Sequence, residues 1–359
     1  MAVKVVVVGA GIAGLAAAWE LQRAAAGGGG GGGCDVTVLE SERRPGGVIL
    51  TEQRQGFIVE AGPDGFLAGE PEFPALAREL GIGDHVVSQI ARGTLLWTGK
   101  ALEPIEEGRA AALLGIDATK AEVAAGFSSF AAGMAEPVAA LVERLGGALR
   151  VAQGVAGLAP ERKGWRIAIT GGSAHEADGV VLALPAYAAG RLLEAVGVAH
   201  GRALAEVVYL PSITVSLAYR EEQIGNRIDG AGFVVNPPLQ IRACTYSSSK
   251  FPGRAPAGHV LLRAYLPPMD GDPAKVAHAQ LAAILDIRGE PLWSRAFYWN
   301  RGLPRYRPHH ADHVNDVRQR LSRLPPIAIA GAGYDGAGVS ACVRSGREAA
   351  RQILSRLAT

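Results

Sequence analysis

The sequence predicts an α/β fold in two parts: a doubly wound, Rossmann-like dinucleotide-binding domain assembled discontinuously from both ends of the chain, and an α+β domain around an antiparallel sheet. Three observations predict it. The β-branched run Val3–Val8 ends in the glycine turn Gly9-Ala10-Gly11-Ile12-Ala13-Gly14 and passes into an apolar, Ala-rich stretch, in the strand, turn and helix order of a βαβ unit. Near the other end, an apolar strand over 327–330 is again followed by a glycine-rich loop and a helical stretch. Between 213 and 266, short strand-like runs alternate with turns, as in an antiparallel sheet.

A chain of 359 residues has room for roughly two to three domains of about 100–200 residues, enough to enclose a large cofactor. The formal net charge is +2, from 36 Lys and Arg against 34 Asp and Glu, so no strong field exists to hold nucleic acid or an acidic membrane surface. No stretch approaches the roughly 18–20 consecutive apolar residues of a spanning helix, and the glycine turn directly after the N-terminal apolar run does not suit a signal peptide. The cysteines Cys34, Cys244 and Cys342 form neither a CxxC pair nor a His/Cys cluster. They read as small buried apolar residues of a reduced, cytoplasmic chain, and no metal is expected.

Taken in order, Val3–Val8 is the first strand and 15–26 the first helix. The seven glycines 27–33 cost too much backbone entropy to order in a helix or strand, and read as a surface loop. Residues 36–39 form the second strand, ending at Glu40, and 41–47 a polar, glycine-ended loop. Residues 71–80 have helical spacing, with Phe73, Leu76, Ala77 and Leu80 on one face. A hairpin over 95–102 turns at Gly99-Lys100 and precedes an Ala-rich helix over 110–125 and an amphipathic helix over 134–145. Strands are expected over 149–155, 165–170 and 180–184, the last stopped by Pro185. The antiparallel sheet takes 213–219, 231–235 and 260–265, and the helix over 343–357 closes the chain.

Gly9, Gly11 and Gly14 match GxGxxG between a strand and a helix. The first glycine allows the tight turn, the second lets backbone approach a diphosphate, and the third lets helix and strand pack closely while the helix N-terminus faces the anion. The hexapeptide alone is weak evidence; its context strengthens it. Glu40 ends the second strand, where a carboxylate accepts hydrogen bonds from a ribose, and the glycine run accounts for its extra distance from the turn. A carboxylate there disfavours the 2′-phosphate of NADP and leaves NAD or FAD. In Arg43-Arg44-Pro45-Gly46-Gly47 the glycines add close backbone approach, and the arginines either answer phosphate charge or form a solvated pair. Trp299 and Tyr334 read as aromatic walls for a flat ligand or as core packing. Arg92 and Arg263 read as partners for a substrate carboxylate or as surface ion-pair partners.

The run Val5 to Leu15, with Leu39-Glu40-Ser41 and Pro45-Gly46-Gly47, resembles the FAD site of the amine oxidase and protoporphyrinogen oxidase superfamily. Gly62-Pro63-Asp64-Gly65-Phe66-Leu67 resembles the GPDSF turn of porphyrinogen oxidases. The stretches 242–246, 250–252 and 261–265 are similar to the substrate-domain sheet of the bacterial enzymes, particularly the soluble coproporphyrinogen type. Leu303-Pro304-Arg305-Tyr306 after Trp299 resembles the W…LPQY segment, and Gly331 to Val339 the closing flavin loop. The resemblance implies FAD, held by Gly9, Ala10, Gly11, Ile12, Ala13, Gly14, Glu40, Ser41, Arg44, Gly46, Gly47, Gly62, Pro63, Asp64, Trp299, Gly331, Gly338 and Val339, with Val155 near the adenine. Arg92, Arg263 and Tyr334 are the candidate substrate contacts, and no catalytic acid or base is assigned.

Where the family carries a long helical lobe between its hairpin and the segment like 127–134, only 103–126 is present here. That lobe forms part of the family's porphyrinogen cavity, so the pocket roof is expected to be open. Glu70 is a further departure, an acid where soluble relatives carry a basic residue just beyond the turn. The resulting division assigns 1–85, 127–189 and 322–359 to the FAD-binding domain, 86–100 and 190–321 to the substrate domain, and 101–126 to a remnant of the lobe.

The resemblance implies oxygen-dependent oxidation of a porphyrinogen in haem biosynthesis: coproporphyrinogen III to coproporphyrin III, or protoporphyrinogen IX to protoporphyrin IX. Three two-electron hydride transfers to flavin would each end in peroxide, and a haem-pathway enzyme such as a ferrochelatase is an expected partner. One alternative is another FAD-dependent enzyme of the amine oxidase type. Another is a shortened, inactive FAD-binding protein of the haem pathway.

Overall fold

The computed structural model describes residues 2–27, 34–113, 120–236 and 239–358. By their contacts the residues fall into two compact units, each discontinuous: Met1–Ile49 with Ala135–Tyr209 and Leu303–Thr359, and Leu50–Met134 with Leu210–Gly302.

The first unit is built on a five-stranded sheet in the order Leu149–Arg150, Cys34–Leu39, Val3–Val8, Gly179–Leu182, Ile327–Ile329. Every pairing in it is parallel. Val5 and Val7 are fully buried, which is why the opening run is β-branched rather than alternating. In register, Val8 lies opposite both Leu39 and Leu182, and Leu182 opposite Ile329. The carboxyl ends of these strands therefore share one edge, where the sequence placed Gly9, Glu40 and Gly331. The helix Ile12–Gly27 starts in the glycine turn and packs on the last helix, Val339–Leu357. A Cβ at Gly346 would stand 2.0 Å from the Ala13 carbonyl oxygen, so a glycine lets the two backbones touch. Glu20 adds ion pairs to Arg347 and Arg351 across the same contact.

The strand expected over 149–155 is two strands in two sheets. Ala152 takes a left-handed φ of 55°, which turns the chain after Leu149–Arg150. Val155–Glu161 then opens an antiparallel meander with Gly164–Ile169 and Ala174–Ala177.

The second unit carries a seven-stranded sheet in the order Trp293–Arg305, Val208–Arg220, His259–Leu266, Ala243–Tyr246, Gly232–Val235, Thr94–Trp97, Leu102–Ile105. Gly232–Val235 runs parallel to Thr94–Trp97, a departure from the expected antiparallel pattern. The helix Pro273–Leu285 covers one face and buries Ala277, Leu281, Ile284 and Leu285 among Val215, Leu217, Phe233 and Leu262. Burying each such leucine contributes about 1.5–3 kcal/mol. Its start is fixed by Asp272, whose side chain accepts from the Ala274 amide, and by Pro273 in the first turn. A smaller sheet of Phe66–Leu67, Phe127–Phe130 and Val86–Ser88 is packed by edge-to-face contacts of Phe73 with Phe66 and Phe130.

These contacts move the expected boundaries. Residues 50–85 and 127–134 belong to the second unit, because Phe66–Leu67 and Val86–Ser88 both pair with Phe127–Phe130. Residues 190–209 and 303–321 belong to the first, where Leu204, Val314, Val317 and Leu321 share a core with Val180 and Ile327. The helix expected over 110–125 is represented by Glu107–Leu113 and Lys120–Ala125, and 114–119 lie outside the described residues. Of the expected glycine loop, Gly27 ends the first helix and 28–33 lie outside the described residues. Among the described residues no helix is long and apolar enough to cross a membrane.

Candidate functional site

At the carboxyl edge of the first unit's sheet, the glycine turn is held by its neighbours. Gly9 takes φ 101° and donates its amide to Leu39 O at 2.8 Å; a Cβ there would stand 2.4 Å from Ala183 O. Gly14 is closed still more tightly, with a would-be Cβ 1.9 Å from Gly9 O. Gly11 differs: a Cβ there would meet nothing within 4 Å. Steric demand explains two of the glycines and leaves the third facing open space beside the start of the helix, where the amides of its first turn have no intrahelical partners.

Glu40 is only 8% exposed. Its Oε2 accepts from the Ala10 amide at 2.8 Å, and its Oε1 accepts from the Glu42 amide at 2.9 Å and the Ser41 hydroxyl at 3.2 Å. The carboxylate is thus fixed against the glycine turn and keeps lone pairs for further donors. Gly46 donates to Ala10 O at 2.7 Å, and a Cβ at Gly47 would lie 3.5 Å from Gly11 Cα, so the Pro45-Gly46-Gly47 loop docks on the turn. Arg44 donates to the carbonyls of Pro45, Gly47 and Ile49, closing its own loop. The amides of Ala152 and Gln153 bond to Glu42 O and Glu40 O, which brings the half-buried Val155 to within a few residues of this carboxylate.

Gly331, at φ 119°, opens the loop before the last helix, and a Cβ on it would lie 3.8 Å from Ala13 Cβ. Gly338 is the N-cap and Val339 the first residue of that helix. Tyr334 is 4% exposed, belongs to the core and donates to Leu184 O at 3.0 Å, so of its two readings the structure places it in the packing. Ala10, Ile12 and Ala13 are likewise buried in the turn and first helix.

A flavin adenine dinucleotide fits these residues. The space a Cβ at Gly11 would fill lies at the N-terminus of the first helix, whose dipole suits a diphosphate, while Glu40 is the carboxylate for a ribose.

In the second unit, the turn 60–64 sits in a buried polar network. Ala61 O accepts from Arg263 Nη2 at 2.9 Å, Trp299 Nε1 at 2.9 Å and Thr214 Oγ1 at 3.0 Å, and Arg263 Nη2 also donates to Gly62 O. Arg263 is 3% exposed, so it holds the turn rather than lying at the surface. Arg92 is exposed and donates to the carbonyls of Ala124 and Ala125 at the end of their short helix. Asp64 pairs with Lys250 at 3.0 Å. Burial pushes the Asp64 carboxyl up, but Lys250, then Arg263 and Arg254, outweigh it and hold the group below the usual carboxylate range.

Glu60 escaped the sequence reading. It accepts from Thr51 Oγ1 at 2.7 Å and the Met134 amide at 2.8 Å, with Arg254 4.0 Å away. Burial nevertheless pushes its carboxyl up to about 7, against the pull of those donors and of Arg254. Arg254, 2% exposed, donates to Ser129 Oγ and Phe130 O, and Ser129 in turn donates to Asp64 O. The signal for this group was the acid directly before the Ala61-Gly62-Pro63-Asp64 turn. Cys244 and Cys342 are buried as expected, whereas Cys34 is only half-buried; partial burial, with Asp35 and Asp178 adding to it, pushes its thiol up to about 11.

Comparison with known proteins agrees with this geometry. The family model for the NAD(P)-binding Rossmann-like domain matches residues 7–80, and that for flavin containing amine oxidoreductases matches residues 110–354. The chain is 23% identical to the coproporphyrinogen III oxidase of Bacillus subtilis (strain 168), covering 98% of each chain. That alignment spans 470 positions against the 359 residues here, so a sizeable part of the relative has no counterpart. Among solved structures, a protein of Exiguobacterium sp. 255-15 assigned as a protoporphyrinogen oxidase matches over 100% of both chains with a TM-score of 0.84 at 23% identity. Cyclohexylamine oxidase of Brevibacterium oxydans IH-35A matches over 100% of both with a TM-score of 0.76 at 13% identity, a likeness of fold. With a dinucleotide turn that faces open space and a family match over most of its length, the chain belongs to the flavin-containing amine oxidoreductases and is an oxidoreductase whose cofactor is FAD.

Proposed function

We propose that the protein oxidises a porphyrinogen to the corresponding porphyrin, with coproporphyrinogen III or protoporphyrinogen IX as substrate and dioxygen as the final acceptor. The observation that carries this reading is the near full-length similarity to a coproporphyrinogen III oxidase in a chain whose nucleotide turn is intact. When bound, FAD supplies the redox chemistry, accepting hydride from the substrate. The chain's own residues would bind and orient it: the turn at Gly11 to Ala13 would hold the diphosphate, and Glu40, fixed by the Ala10 and Glu42 amides, would accept from ribose hydroxyls. Within the second unit, Arg263, Trp299 and Thr214 keep the turn that carries Gly62, Pro63 and Asp64 rigid. A haem-pathway enzyme such as a ferrochelatase is the proposed recipient of the product, in the cytoplasm.

The test is to add coproporphyrinogen III, and separately protoporphyrinogen IX, to FAD-loaded protein in air. Porphyrin fluorescence should rise with oxygen uptake, and one substrate should be preferred. The short middle of the chain favours a second reading, an FAD protein that binds porphyrin without turnover. Porphyrin binding with no flavin reduction under anaerobic conditions would select it.

A further inference from the structure

The Leu303-Pro304-Arg305-Tyr306 segment acquires a role once its contacts are traced. Tyr306 donates its phenol to Ala332 O at 2.5 Å, and His310 Nε2 lies 3.0 Å from Gly333 O. A carbonyl only accepts, so Nε2 carries the proton and the neutral ring is the Nε2–H tautomer. The two rings stack with centroids 4.6 Å apart and planes 19° from parallel, so each sets the position of the other. All four residues lie in the first unit.

The carbonyls they hold belong to consecutive peptides of the closing loop. In a planar peptide the carbonyl and the following amide point in opposite directions, so holding Ala332 O fixes the direction of the Gly333 amide, and holding Gly333 O supports the Tyr334 amide in its 3.3 Å bond to Gly331 O, which closes the turn. The loop needs this help, because Gly331 and Gly336 sit at φ 119° and 130°, where glycine backbone is least restrained. Further ties come from Arg318 to Asp335 and from Ser345, which accepts from the Gly331 amide at 3.1 Å and donates to Asp335 at 3.2 Å.

We propose that Tyr306 and His310 are positioning residues that hold the Gly331–Gly338 loop in the orientation in which it receives the flavin; this rests on the assignment of FAD to that loop. Both donors survive titration. Burial pushes the Tyr306 phenol up, so it stays protonated. Burial pulls His310 down, with His313 adding to this while Asp335 and the Gly333 and Tyr334 carbonyls oppose it, and both protonation states retain the Nε2–H.

The test uses full-length Tyr306→Phe, His310→Ala and His310→Gln, read by FAD titration and by the midpoint potential of bound flavin. Tyr306→Phe keeps the ring and the stack but deletes the donor. Fixed amides favour the electron-rich reduced ring, so Tyr306→Phe and His310→Ala should weaken FAD about tenfold and move the potential to more negative values. His310→Gln, which restores a donor, should return toward wild type. Unchanged affinity and potential in Tyr306→Phe and His310→Ala would overturn the clamp while leaving FAD binding in place. Wild-type protein that takes up no FAD would overturn the assignment beneath it as well.

Discussion

Gly11 and Gly14 stand three residues apart in one motif and do different work. A methyl on Gly14 meets backbone at 1.9 Å, so Gly14→Ala should cost about 3 kcal/mol or more in chemical denaturation. A methyl on Gly11 meets nothing, so Gly11→Ala should leave stability unchanged to within about 0.5 kcal/mol yet weaken FAD at least about tenfold in a binding titration. Equal losses of stability in the two variants would remove the functional reading of Gly11. Glu60 makes a separate prediction. Its carboxyl is raised to about 7 from an unfolded value of 4.5, so the folded state binds the proton more tightly. Stability from this group is therefore full below about 4.5 and lost as pH rises through about 7, by on the order of 3 kcal/mol at most. Urea unfolding of Glu60→Gln should show that fall flattened, and a fall of undiminished size would assign it to another group. The nucleotide turn and Glu40 were legible in the sequence because their chemistry depends on local spacing. Glu60, Arg254 and His310 were not, because partners such as Met134, Phe130 and Gly333 lie 74, 124 and 23 residues away from them.

At the scale of elements, the contact between the first and last helices positions the glycine turn against the closing loop. Gly346→Leu would drive a side chain into Ala13 O, separating the helices; a fall in melting temperature together with weaker FAD binding is expected. A variant as stable as wild type with full FAD affinity would show that this contact does not position the turn. Elements with strong periodicity were readable: the first strand and the helices at Glu72–Glu79 and Glu136–Leu145 lie where the pattern put them. The split after Leu149–Arg150 was hidden because Ala152 gives no sequence sign of a left-handed φ. The helix Pro273–Leu285 escaped notice although Asp272-Pro273 is a start signal, and the strand Trp293–Arg305 because its exposed residues break the alternation.

Over the whole molecule, both ends of the chain contribute to one parallel sheet, as the paired glycine loops implied. Boundaries were less legible, since Ala61 O is held by residues more than 150 positions further on and no local pattern announces such contacts. The same long-range assembly makes FAD a ligand of the folded state alone. Saturating FAD should therefore raise stability by about 2.7 kcal/mol at a hundred times its dissociation constant, read as a shift in melting temperature. The most direct test of the central claim is an equilibrium titration of the protein with FAD, followed by flavin fluorescence and the visible spectrum. Saturable binding of one FAD per chain in the wild type, weakened in Gly11→Ala without loss of fold, is the result expected. Protein that stays colourless and leaves the flavin signal unchanged at every concentration would contradict it.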